Sequence, residues 1–397
     1  GHEMKPVYDA VNIMQETEWV INKPIYEVIL SLINSDSSLG HLPTNPQEIE
    51  LPIKPVDIET NKESLVQWKR QASLVYKERA KSKSKYIQVR QIIEEARLLL
   101  DRSFFYPYQL DFRGRIYPKP AMLSPQGADY SRALIKFKYG KQMKENNSFD
   151  DFAIAGAGLY GEVDKEDIQT RLDWVKERLD TFIGYAKEPL TNTDWAKADK
   201  PFCFLAWCFE LRDFAETDYD ATFITTLPIQ SDCSNSGLQH YSAMMRDPVG
   251  GKATNLIPSN KPEDVYRIVA QKVIMKLRDK TEPMAKQWLD YGIDRKLCKK
   301  PVMCLPYSLT QYSCRQYIQD HVEKELKEKN KPHNFGSDLF KATNYLTPIV
   351  WESINDVIVG AKEIMGFLKK VSRLVASENL PVTWTTPKPL NFPVQMM

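Results

Sequence analysis

The sequence predicts a predominantly helical protein of the α/β (α+β) class. Apolar residues recur at helical spacing along most of the 397 residues, whereas strand-like runs are short and few. Hydrophobic residues make up 42% of the chain and aromatic residues 11%, which is typical of a packed globular protein. Because this length exceeds what one simple core usually holds, two or three lobes are expected.

The charge and cysteine content narrow the possible classes. The net charge is only +2, although the chain has 54 basic residues, so any affinity for nucleic acid must come from local clusters. The six cysteines form no CxxC pair and no histidine stands at zinc-finger spacing, which favours a reducing compartment without structural zinc or a disulfide framework. No apolar run reaches membrane-spanning length and no signal peptide precedes the first helical pattern, so no membrane contact is expected.

The N-terminal elements are predicted to be helices joined by an irregular connector. Residues 7–33 carry apolar side chains at helical spacing and are interrupted by Pro24, which indicates two helices. Residues 36–60 are rich in Pro, Ser, Asn and acidic residues, as expected of a connector. A further helical pattern runs from Leu65 to Leu100.

Basic residues are concentrated within this last pattern. Glu78 is the only acidic residue among the cations Lys69, Arg70, Lys77, Arg79, Lys81, Lys83, Lys85 and Arg90. Such a run is most often a solvated helix face. Alternatively, it is a helical arm that lies against a phosphate backbone and releases counterions on binding. The pattern alone leaves both interpretations open.

Later segments alternate between aromatic, apolar and amphipathic patterns. Residues 104–120 are dense in aromatics, and residues 201–211 indicate a buried helix. Residues 222–247 indicate a strand, then an acidic residue, a turn of small residues and a helix. Residues 263–279 predict an amphipathic helix, and so do residues 351–375, in which one face is lined by Ile354, Val357, Ile358, Ala361, Met365, Leu368 and Val371.

Asp232 is a candidate magnesium ligand. It follows an apolar strand-like run and precedes Cys233 and a group of small residues that permit close approach. Magnesium takes one or two protein carboxylates and fills its remaining positions with water and substrate phosphates. The competing interpretation is that Asp232 caps the following helix, and for an isolated aspartate this is the more common role.

A second candidate surface is a stripe of four residues. Arg295, Lys299, Met303 and Tyr307 recur at every fourth position, which places them on one helical face. Cations suit phosphates, and a ring with a hydroxyl suits a base and a sugar. Taken singly, the cations could be a solvated face and Tyr307 a core tyrosine.

Four segments carry a resemblance to a known family. They are DFRGR, DCSNSGLQHYSAMMRD, RKLCKKPVMCLPYS and WTTPKPLNFPV, at residues 111–115, 232–247, 295–308 and 384–394. In order and context they resemble the single-subunit phage-type RNA polymerases, a family that includes mitochondrial enzymes. The intervening segments are similar as well, and the resemblance runs from about Met4 to the last residue.

The resemblance implies roles for individual residues around a nucleotide site. Asp232 matches the first metal-binding aspartate of the palm, and the backbone carbonyl of Cys233 matches a second metal ligand. Arg295 and Lys299 match the fingers residues that meet the triphosphate. Tyr307 matches the tyrosine that stacks near the incoming nucleotide and helps to sense its ribose 2′-hydroxyl.

The resemblance also implies contacts with nucleic acid. Tyr266 matches a helix tyrosine that lines the nucleotide site. Arg113 and Arg115, for which a basic turn paired with Asp111 is the simpler explanation, match a segment that steadies the template and the RNA–DNA hybrid. The basic helical pattern with Lys81, Lys83 and Lys85 resembles the thumb.

The implied architecture is a right-hand polymerase fold with a thumb, a partial palm and fingers. The segments are 1–60 for an N-terminal helical remnant and connector, 61–101 for the thumb, 102–260 for part of the palm and 261–397 for the fingers. The implied reaction transfers nucleotidyl groups from NTPs to an RNA 3′-end, directed by a DNA template and assisted by two Mg²⁺ ions. The implied location is the cytoplasm of an infected bacterial host.

Two prolines depart from the pattern of the family. Pro301 and Pro306 stand where the family has a continuous helix, and Ser308 replaces the glycine expected after Tyr307. Proline is tolerated in a first helical turn but costs about 3 kcal/mol in a helix interior. Pro301 is therefore acceptable if the helix begins near Lys300, and Pro306 is expected to bend or end it just before Tyr307.

A second departure concerns the palm. The second palm aspartate of the family lies in a His-Asp pair, and no His-Asp dipeptide occurs in this sequence. Because Asp232 alone cannot close a two-metal site, either the chain is truncated or the polymerase is split between two polypeptides. We favour the split, since some phages have a heterodimeric enzyme whose larger, N-proximal subunit this chain resembles. A second subunit would supply the remaining aspartate, and promoter recognition would depend on an accessory factor or on single-stranded DNA.

Two alternatives remain open at this point. DNA polymerases of related fold share the Arg-Lys-Tyr helix, although DFRGR and SGLQHYSA argue against them. A non-catalytic nucleic-acid-binding protein could retain the fold without the second palm aspartate.

Overall fold

The structure is a computed structural model that describes residues 4–45, 50–111, 114–143, 148–307, 309–329, 331–336, 338–385 and 391–394. These residues form two units. The first unit contains the described residues up to Asp164 together with Ile168–Gln230, and the second contains Lys165–Asp167, 231–385 and 391–394. Most described residues lie in helices, which confirms the predominantly helical class.

The first unit combines helices with short strands. Its helices are α1 Lys5–Gln15, α2 Lys23–Asn34, α3 Lys62–Leu98, α4 Asp129–Ala133, α5 Ser148–Tyr160, α6 Ile168–Lys176, α7 Leu179–Lys187 and α8 Pro201–Ala215. Its strands are β1 Trp19–Ile21, β2 Tyr108–Leu110, β3 Ile116–Pro118, β4 Ile135–Phe137, β5 Lys141–Gln142 and β6 Ile224–Thr225. The two N-terminal helices are therefore as predicted, with a short strand between them. The predicted connector is irregular at residues 36–45 and 50–60 apart from one 3₁₀ turn, and residues 46–49 lie outside the described residues.

The second unit is helical apart from one hairpin. Its helices are α9 Ser236–Met245, α10 Pro248–Ala253, α11 Val265–Arg278, α12 Pro283–Tyr291, α13 Arg295–Cys304, α14 Gln311–Lys329, α15 Leu339–Val357 and α16 Val359–Ser377. The hairpin pairs β7 Val382–Thr385 with β8 Asn391–Val394. Short 3₁₀ turns occur at Leu39–His41 and Thr193–Lys197 in the first unit and at Leu305–Tyr307 in the second.

The strand that was predicted within residues 222–247 is short and belongs to a two-stranded sheet. The described strands form four separate two-stranded antiparallel sheets, β1 with β4, β2 with β3, β5 with β6 and β7 with β8. The strand before Asp232 ends at Thr225, and the residues from there to Ser236 are irregular. The prediction of a carboxylate at a strand end is therefore wrong. The apolar run before Asp232 pairs as a strand only with Lys141–Gln142, so the strand ends at Thr225.

Helix α3 is continuous over the whole basic stretch. Asn61 caps its start, because its side chain accepts hydrogen bonds from the backbone N–H groups of Glu63 and Ser64 at 3.0 and 3.4 Å. Its buried residues are Ala72 near the start and Val89, Ile92, Ile93 and Ala96 near the end. Of the described side chains between residues 73 and 88 none is buried, so the basic stretch faces water.

The core of the first unit is centred on α8, as its apolar sequence predicts. The Trp207 ring stacks on Phe204 and on Phe152 of α5, with ring centroids 5.6 and 5.1 Å apart. A Cβ atom at Gly156 would lie 2.4 Å from the Trp207 ring, so glycine is what allows α5 and α8 to approach this closely. The Trp207 indole N–H donates to the backbone carbonyl of Phe152 at 2.8 Å.

The core of the second unit is built around α11, which packs against α12, α13 and α15. Val269 and Val273 of α11 and Cys298 and Val302 of α13 are fully buried in one cluster. Trp288 of α12 is also fully buried, and its indole N–H donates to the backbone carbonyl of Ala342 in α15 at 3.0 Å. This packing fixes α13 beside α11.

The predicted helix over residues 351–375 is two helices. The chain breaks at Ile358, whose φ of −122° and ψ of 55° end α15 before α16 begins. The buried face still continues across the break through Ile354, Ile358, Ala361 and Met365. Within the described residues, no helix is both long and apolar enough to span a membrane.

Candidate functional site

Asp232 lies in the irregular segment that leads into α9, and its side chain is exposed. Its Oδ1 accepts a hydrogen bond from the backbone N–H of Cys233 at 2.8 Å. The cap of α9 is Asn235, whose Oδ1 accepts from the backbone N–H of Leu238 at 3.1 Å. The alternative that Asp232 serves as the helix cap is therefore wrong.

Helix α13 carries three residues of the predicted four-residue stripe, Arg295, Lys299 and Met303, and Tyr307 lies in the 3₁₀ turn that follows it. The helix begins at Arg295, where the Asp294 side chain accepts a hydrogen bond from the backbone N–H of Leu297 at 2.9 Å. Pro301 lies inside the helix and is buried, so it does not stand in a first turn as it would if the helix began near Lys300. The Asp294 cap sets the start of α13. Burial of Pro301 in the core offsets the cost of the backbone hydrogen bond that a proline cannot donate.

The end of α13 is as predicted. The helix stops at Cys304, and a 3₁₀ turn that contains Pro306 leads to Tyr307. The Tyr307 side chain is 68% exposed, which excludes the core-tyrosine alternative. Lys299 and Met303 are also exposed, and Arg295 is half-buried, so the stripe lies at the surface of the unit. Ser308 lies outside the described residues.

Arg295 is held by a buried carboxylate and an aromatic ring. Its Nε donates to Oδ2 of Asp264, whose side chain is only 4% exposed. Its guanidinium lies over the Tyr266 ring, 5.1 Å from the ring centroid. Asp264 also caps α11, because its Oδ1 accepts from the backbone N–H groups of Tyr266 and Arg267 at 3.0 and 3.3 Å.

Tyr266 connects α11 with the segment that carries Asp232. It is buried, and its hydroxyl donates to the backbone carbonyl of Ser234 at 3.3 Å. Burial raises the pKa of Tyr266, the nearby Asn235 amide and Arg295 oppose this shift, and the charges of Asp264 and Asp232 add to it. The structure therefore brings Tyr266 within electrostatic reach of both Asp232 and Arg295.

The turn with Tyr307 lies against the start of α9. A Cβ atom at Gly237 would be 3.0 Å from Cβ of Pro306, so a larger residue there would require Pro306 to move by a few tenths of an ångström. The pKa of Tyr241 on α9 is raised by burial and also by the neighbouring Tyr307. Both ends of the stripe are therefore connected to the segment that carries Asp232. Arg295 lies over the Tyr266 ring, whose hydroxyl bonds to Ser234. The turn with Tyr307 lies against α9, which directly follows this segment.

The predicted nucleic-acid residues belong to the first unit. Arg115 is exposed at the β2–β3 hairpin, where Asp111 Oδ1 accepts a hydrogen bond from its backbone N–H at 2.9 Å. Gly114 has a φ of +82° in this turn, which favours glycine. Lys81, Lys83 and Lys85 are exposed on α3. Arg113 lies outside the described residues.

The residues around Asp232 fit part of a magnesium site. The described residues contain no group of three or more His, Cys, Asp or Glu side chains that could hold a metal ion. The exposed Asp232 carboxylate and the Cys233 backbone carbonyl are oxygen ligands of the kind that Mg²⁺ accepts from proteins. They would supply fewer ligands than a complete shell, so water, substrate phosphates or a further carboxylate would be needed.

Asp264, Asn235 and Asn255 were not predicted from the sequence. An Asp directly before an apolar helical pattern signals a cap, and Asp264 could have been found as one. Its pairing with Arg295 had no local signal, because the two residues are 31 positions apart. Asn255 links the segment of Asp232 to the chain before α11, because its side chain bonds to Ser234 and to Glu263.

Comparisons with known proteins agree with the resemblance seen in the motifs. A family model described as DNA-dependent RNA polymerase matches residues 142–396. The chain is similar to the DNA-directed RNA polymerase of Enterobacteria phage T3, with 34% identity over 432 residues that cover 98% of this chain and 48% of the relative. It is also similar to T7 RNA polymerase of Escherichia phage T7, with 34% identity over 435 residues and the same coverage.

An organellar relative extends the comparison. DNA-directed RNA polymerase 2, chloroplastic/mitochondrial, of Nicotiana sylvestris is 31% identical over 405 residues, which cover 99% of this chain and 38% of that relative. The chain spans about half the length of the phage relatives, at 48%.

Proposed function

Because this chain belongs to the phage-type DNA-dependent RNA polymerase family, we propose that it is a catalytic subunit of a DNA-directed RNA polymerase. It would transfer nucleotidyl groups from NTPs to an RNA 3′-end on a DNA template. The observation that carries the proposal is the arrangement in the second unit. There, Tyr266 lies within electrostatic reach of both Asp232 and Arg295, Lys299 is exposed on the same face of α13 as Arg295, and Tyr307 is exposed in the turn that follows α13.

The stripe on α13 is proposed to receive the nucleoside triphosphate. Arg295 and Lys299 would neutralise phosphate charge, and Arg295 is already oriented by Asp264. The exposed Tyr307 ring would stack near the incoming nucleotide, with its hydroxyl near the ribose. Burial raises the pKa of Tyr266, and its phenol donates a hydrogen bond to the backbone carbonyl of Ser234. In the reaction, the RNA 3′-oxygen forms a bond to the α-phosphorus, and the bond from this phosphorus to the bridging oxygen breaks to release pyrophosphate.

Asp232 and the carbonyl of Cys233 are proposed to hold Mg²⁺, two ions being present in the assembled site. When bound, these ions would stabilise the charge on the attacking and leaving oxygens. Asp232 is suited to this position because its carboxylate is exposed and caps no helix.

A second polymerase subunit is proposed to supply the remaining palm aspartate. The sequence has no His-Asp dipeptide, and the described residues offer no cluster of three acidic, His or Cys ligands. Promoter recognition would then use an accessory factor or single-stranded DNA. The proposed location is the cytoplasm of an infected bacterial host.

The nucleic-acid contacts are proposed to lie on the first unit. Helix α3 would act as the thumb within segment 61–101, with Lys81, Lys83 and Lys85 facing the phosphates of the RNA–DNA hybrid. Arg113 and Arg115 would steady the template, within the palm segment 102–260. The fingers, 261–397, would carry α13, and residues 1–60 would form the N-terminal remnant.

Primer extension with an assembled enzyme tests this proposal. The chain is co-expressed with candidate partners that carry a His-Asp segment, and extension of a labelled RNA primer on a DNA template is measured with NTPs and with dNTPs. We expect extension with NTPs that is lost in Asp232→Asn and kept in Asp290→Asn, which changes an exposed carboxylate of α12. Hybrid binding should be equal in all three proteins.

Other results would indicate a different function or contradict the assignment of Asp232. A preference for dNTPs would indicate a DNA polymerase. Hybrid binding without extension, with every partner and in the chain alone, would indicate a non-catalytic nucleic-acid-binding protein. Full activity of Asp232→Asn would contradict the assignment of the metal ligand.

A further inference from the structure

Asn255 makes three side-chain hydrogen bonds at a point where the chain turns between α10 and α11. Its Nδ2 donates to Ser234 Oγ at 2.7 Å and to the backbone carbonyl of Glu263 at 2.8 Å. Its Oδ1 accepts from the backbone N–H of Glu263 at 2.7 Å. Both amide protons and one carbonyl lone pair are therefore used, which is three of the four hydrogen bonds that an asparagine side chain can make.

The two segments that Asn255 joins are those that carry the candidate site. Ser234 stands two residues after Asp232, and Glu263 directly precedes Asp264. Asp264 in turn caps α11 and holds Arg295. A displacement of Ser234 or Glu263 would thus be passed to Asp232 on one side and to Arg295 on the other.

The contact with Ser234 is reinforced by a second one. The Tyr266 hydroxyl donates to the Ser234 backbone carbonyl, whereas Asn255 donates to the Ser234 side chain. Two bonds from different elements fix the position of a residue better than one, because each limits the motion that the other permits. After Thr225 the chain up to Ser236 lies in no strand. Before Asp232 it is attached by Gln230, which bonds to Arg132 and to the backbone carbonyl of Pro125. After Asp232 the two bonds to Ser234 contribute to its attachment.

The backbone at Asn255 is in a conformation that needs support. Its φ is +59°, in the left-handed region that residues other than glycine seldom adopt. Asparagine tolerates this region better than most residues, and such a conformation persists only where surrounding contacts enforce it. The double hydrogen bond with Glu263 provides that enforcement.

We propose that Asn255 is a positioning residue, which holds the segment of Asp232 at a fixed place beside Tyr266 and Arg295. The proposal rests on the proposed function, since it assigns the purpose of this position to nucleotidyl transfer. Asn255 touches neither the triphosphate nor the metal in this role. It acts through Ser234 and Glu263.

Hydrogen exchange of the chain alone tests the contact without any need for activity. In Asn255→Gly the left-handed backbone is retained and the side chain is lost, and we expect backbone amides of residues 233–238 and 264–267 to exchange about tenfold faster. Asn379→Gly is the matched control, because Asn379 is exposed and also left-handed, with a φ of +53°. Equal exchange in Asn255→Gly and the wild type would overturn the proposal.

Kinetics of the assembled enzyme test the role in the reaction. We expect Asn255→Gly to lower kcat about tenfold and to raise the Mg²⁺ concentration for half-maximal rate several-fold, with Asn379→Gly unchanged. Asn255→Asp keeps the acceptor for the Glu263 N–H and can accept from the Ser234 hydroxyl, so it should restore part of the rate.

The outcomes separate the inference from the proposed function. If the wild type shows no nucleotidyl transfer in any assembly, the proposed function fails, and the purpose assigned to Asn255 fails with it. If the wild type is active but Asn255→Gly has wild-type kcat and Mg²⁺ dependence, the positioning role is wrong even where hydrogen exchange has changed. A rate in Asn255→Asp no higher than in Asn255→Gly also counts against it.

Discussion

The buried carboxylate of Asp264 binds Arg295 through one oxygen and caps α11 through the other. This contact holds the arginine over the Tyr266 ring. Preorganisation of this kind lowers the cost of binding an anion, because the side chain has no rotamer freedom left to lose.

The first prediction concerns this ion pair. Asp264→Asn keeps a cap acceptor but loses the charge, so a partly buried guanidinium loses its counterion. We expect the free energy of unfolding to fall by about 1.5–3 kcal/mol, the range for hydrogen bonds to charged groups. Urea denaturation of the chain measures this. Asp294→Asn is the control, because it replaces the exposed cap residue of α13 with a residue that caps a helix equally well. It should lower the free energy of unfolding by less than about 0.5 kcal/mol. Equal stability of the two variants would contradict the role of Asp264.

The second prediction tests the close approach of α9 and the Pro306 turn. In Gly237→Ala the new Cβ would meet Pro306 at 3.0 Å, so the turn with Tyr307 must shift. We expect a loss of about 1–3 kcal/mol in stability, as for overpacked sites. Gly366→Ala in α16 is the control, because nothing lies within 4 Å of its Cβ position. This variant should gain about 0.5–1 kcal/mol from helix propensity. If both variants gain stability, α9 and Pro306 are not in tight contact.

How far the sequence could predict the site depended on the range of the interactions. The exposed face with Arg295, Lys299 and Met303 follows from helical periodicity, which is local, and the end of α13 at Cys304 follows from the nearby Pro306. The start of α13 is set by the Asp294 cap, which periodicity does not report. The burial of Pro301 depends on the packing of α13 in the core, which the sequence pattern does not report either. Local sequence patterns could not predict the Asp264–Arg295 pair or the bond from Asn255 to Ser234. Each of them joins segments that are distant in the sequence and come together only in the folded chain. The strand before Asp232 was predicted too long because strand pairing requires a partner, and its partner β5 is only two residues long.

The third prediction is an alkaline loss of stability. Burial raises the pKa of Tyr185 in α7 to about 12, above the ordinary value of 10.0. Below pH 10 the phenol is protonated in both folded and unfolded chains, so its contribution is complete. Between pH 10 and 12 the unfolded chain loses the proton first, and stability falls as pH rises. In Tyr185→Phe the free energy of unfolding should fall less steeply with pH. The difference in bound protons between the folded and unfolded chains, which sets this slope, should be smaller by up to about one. Urea denaturation across this range measures the slope. Tyr8→Phe, at a site that is 61% exposed, should leave it unchanged, and an unchanged slope in Tyr185→Phe would refute the assignment.

The fourth prediction addresses the basic stretch of α3. If Lys81 neutralises a phosphate of the hybrid, Lys81→Ala should weaken hybrid binding and reduce the slope of log affinity against log salt by about 0.7–0.9. Fluorescence anisotropy over a salt series gives this slope. Lys187→Ala removes an equally exposed cation from α7 and should leave the slope as it is. A solvated face without nucleic-acid contact would give the same slope for both variants.

The fifth prediction concerns sugar selection by Tyr307. Its side chain is 68% exposed at the end of the α13 stripe, so the hydroxyl is free to face a ligand rather than the core. A site that hydrogen-bonds a substrate hydroxyl rejects the analogue without it, because the polar group of the site is then left unpaired. Tyr307→Phe removes that group and keeps the ring for stacking. We expect the ratio of kcat/KM for NTP over dNTP to fall about tenfold or more, with the NTP value itself little changed. Tyr312→Phe, which alters a 72% exposed tyrosine of α14, should keep the wild-type ratio. A wild-type ratio in Tyr307→Phe would show that this hydroxyl does not read the ribose.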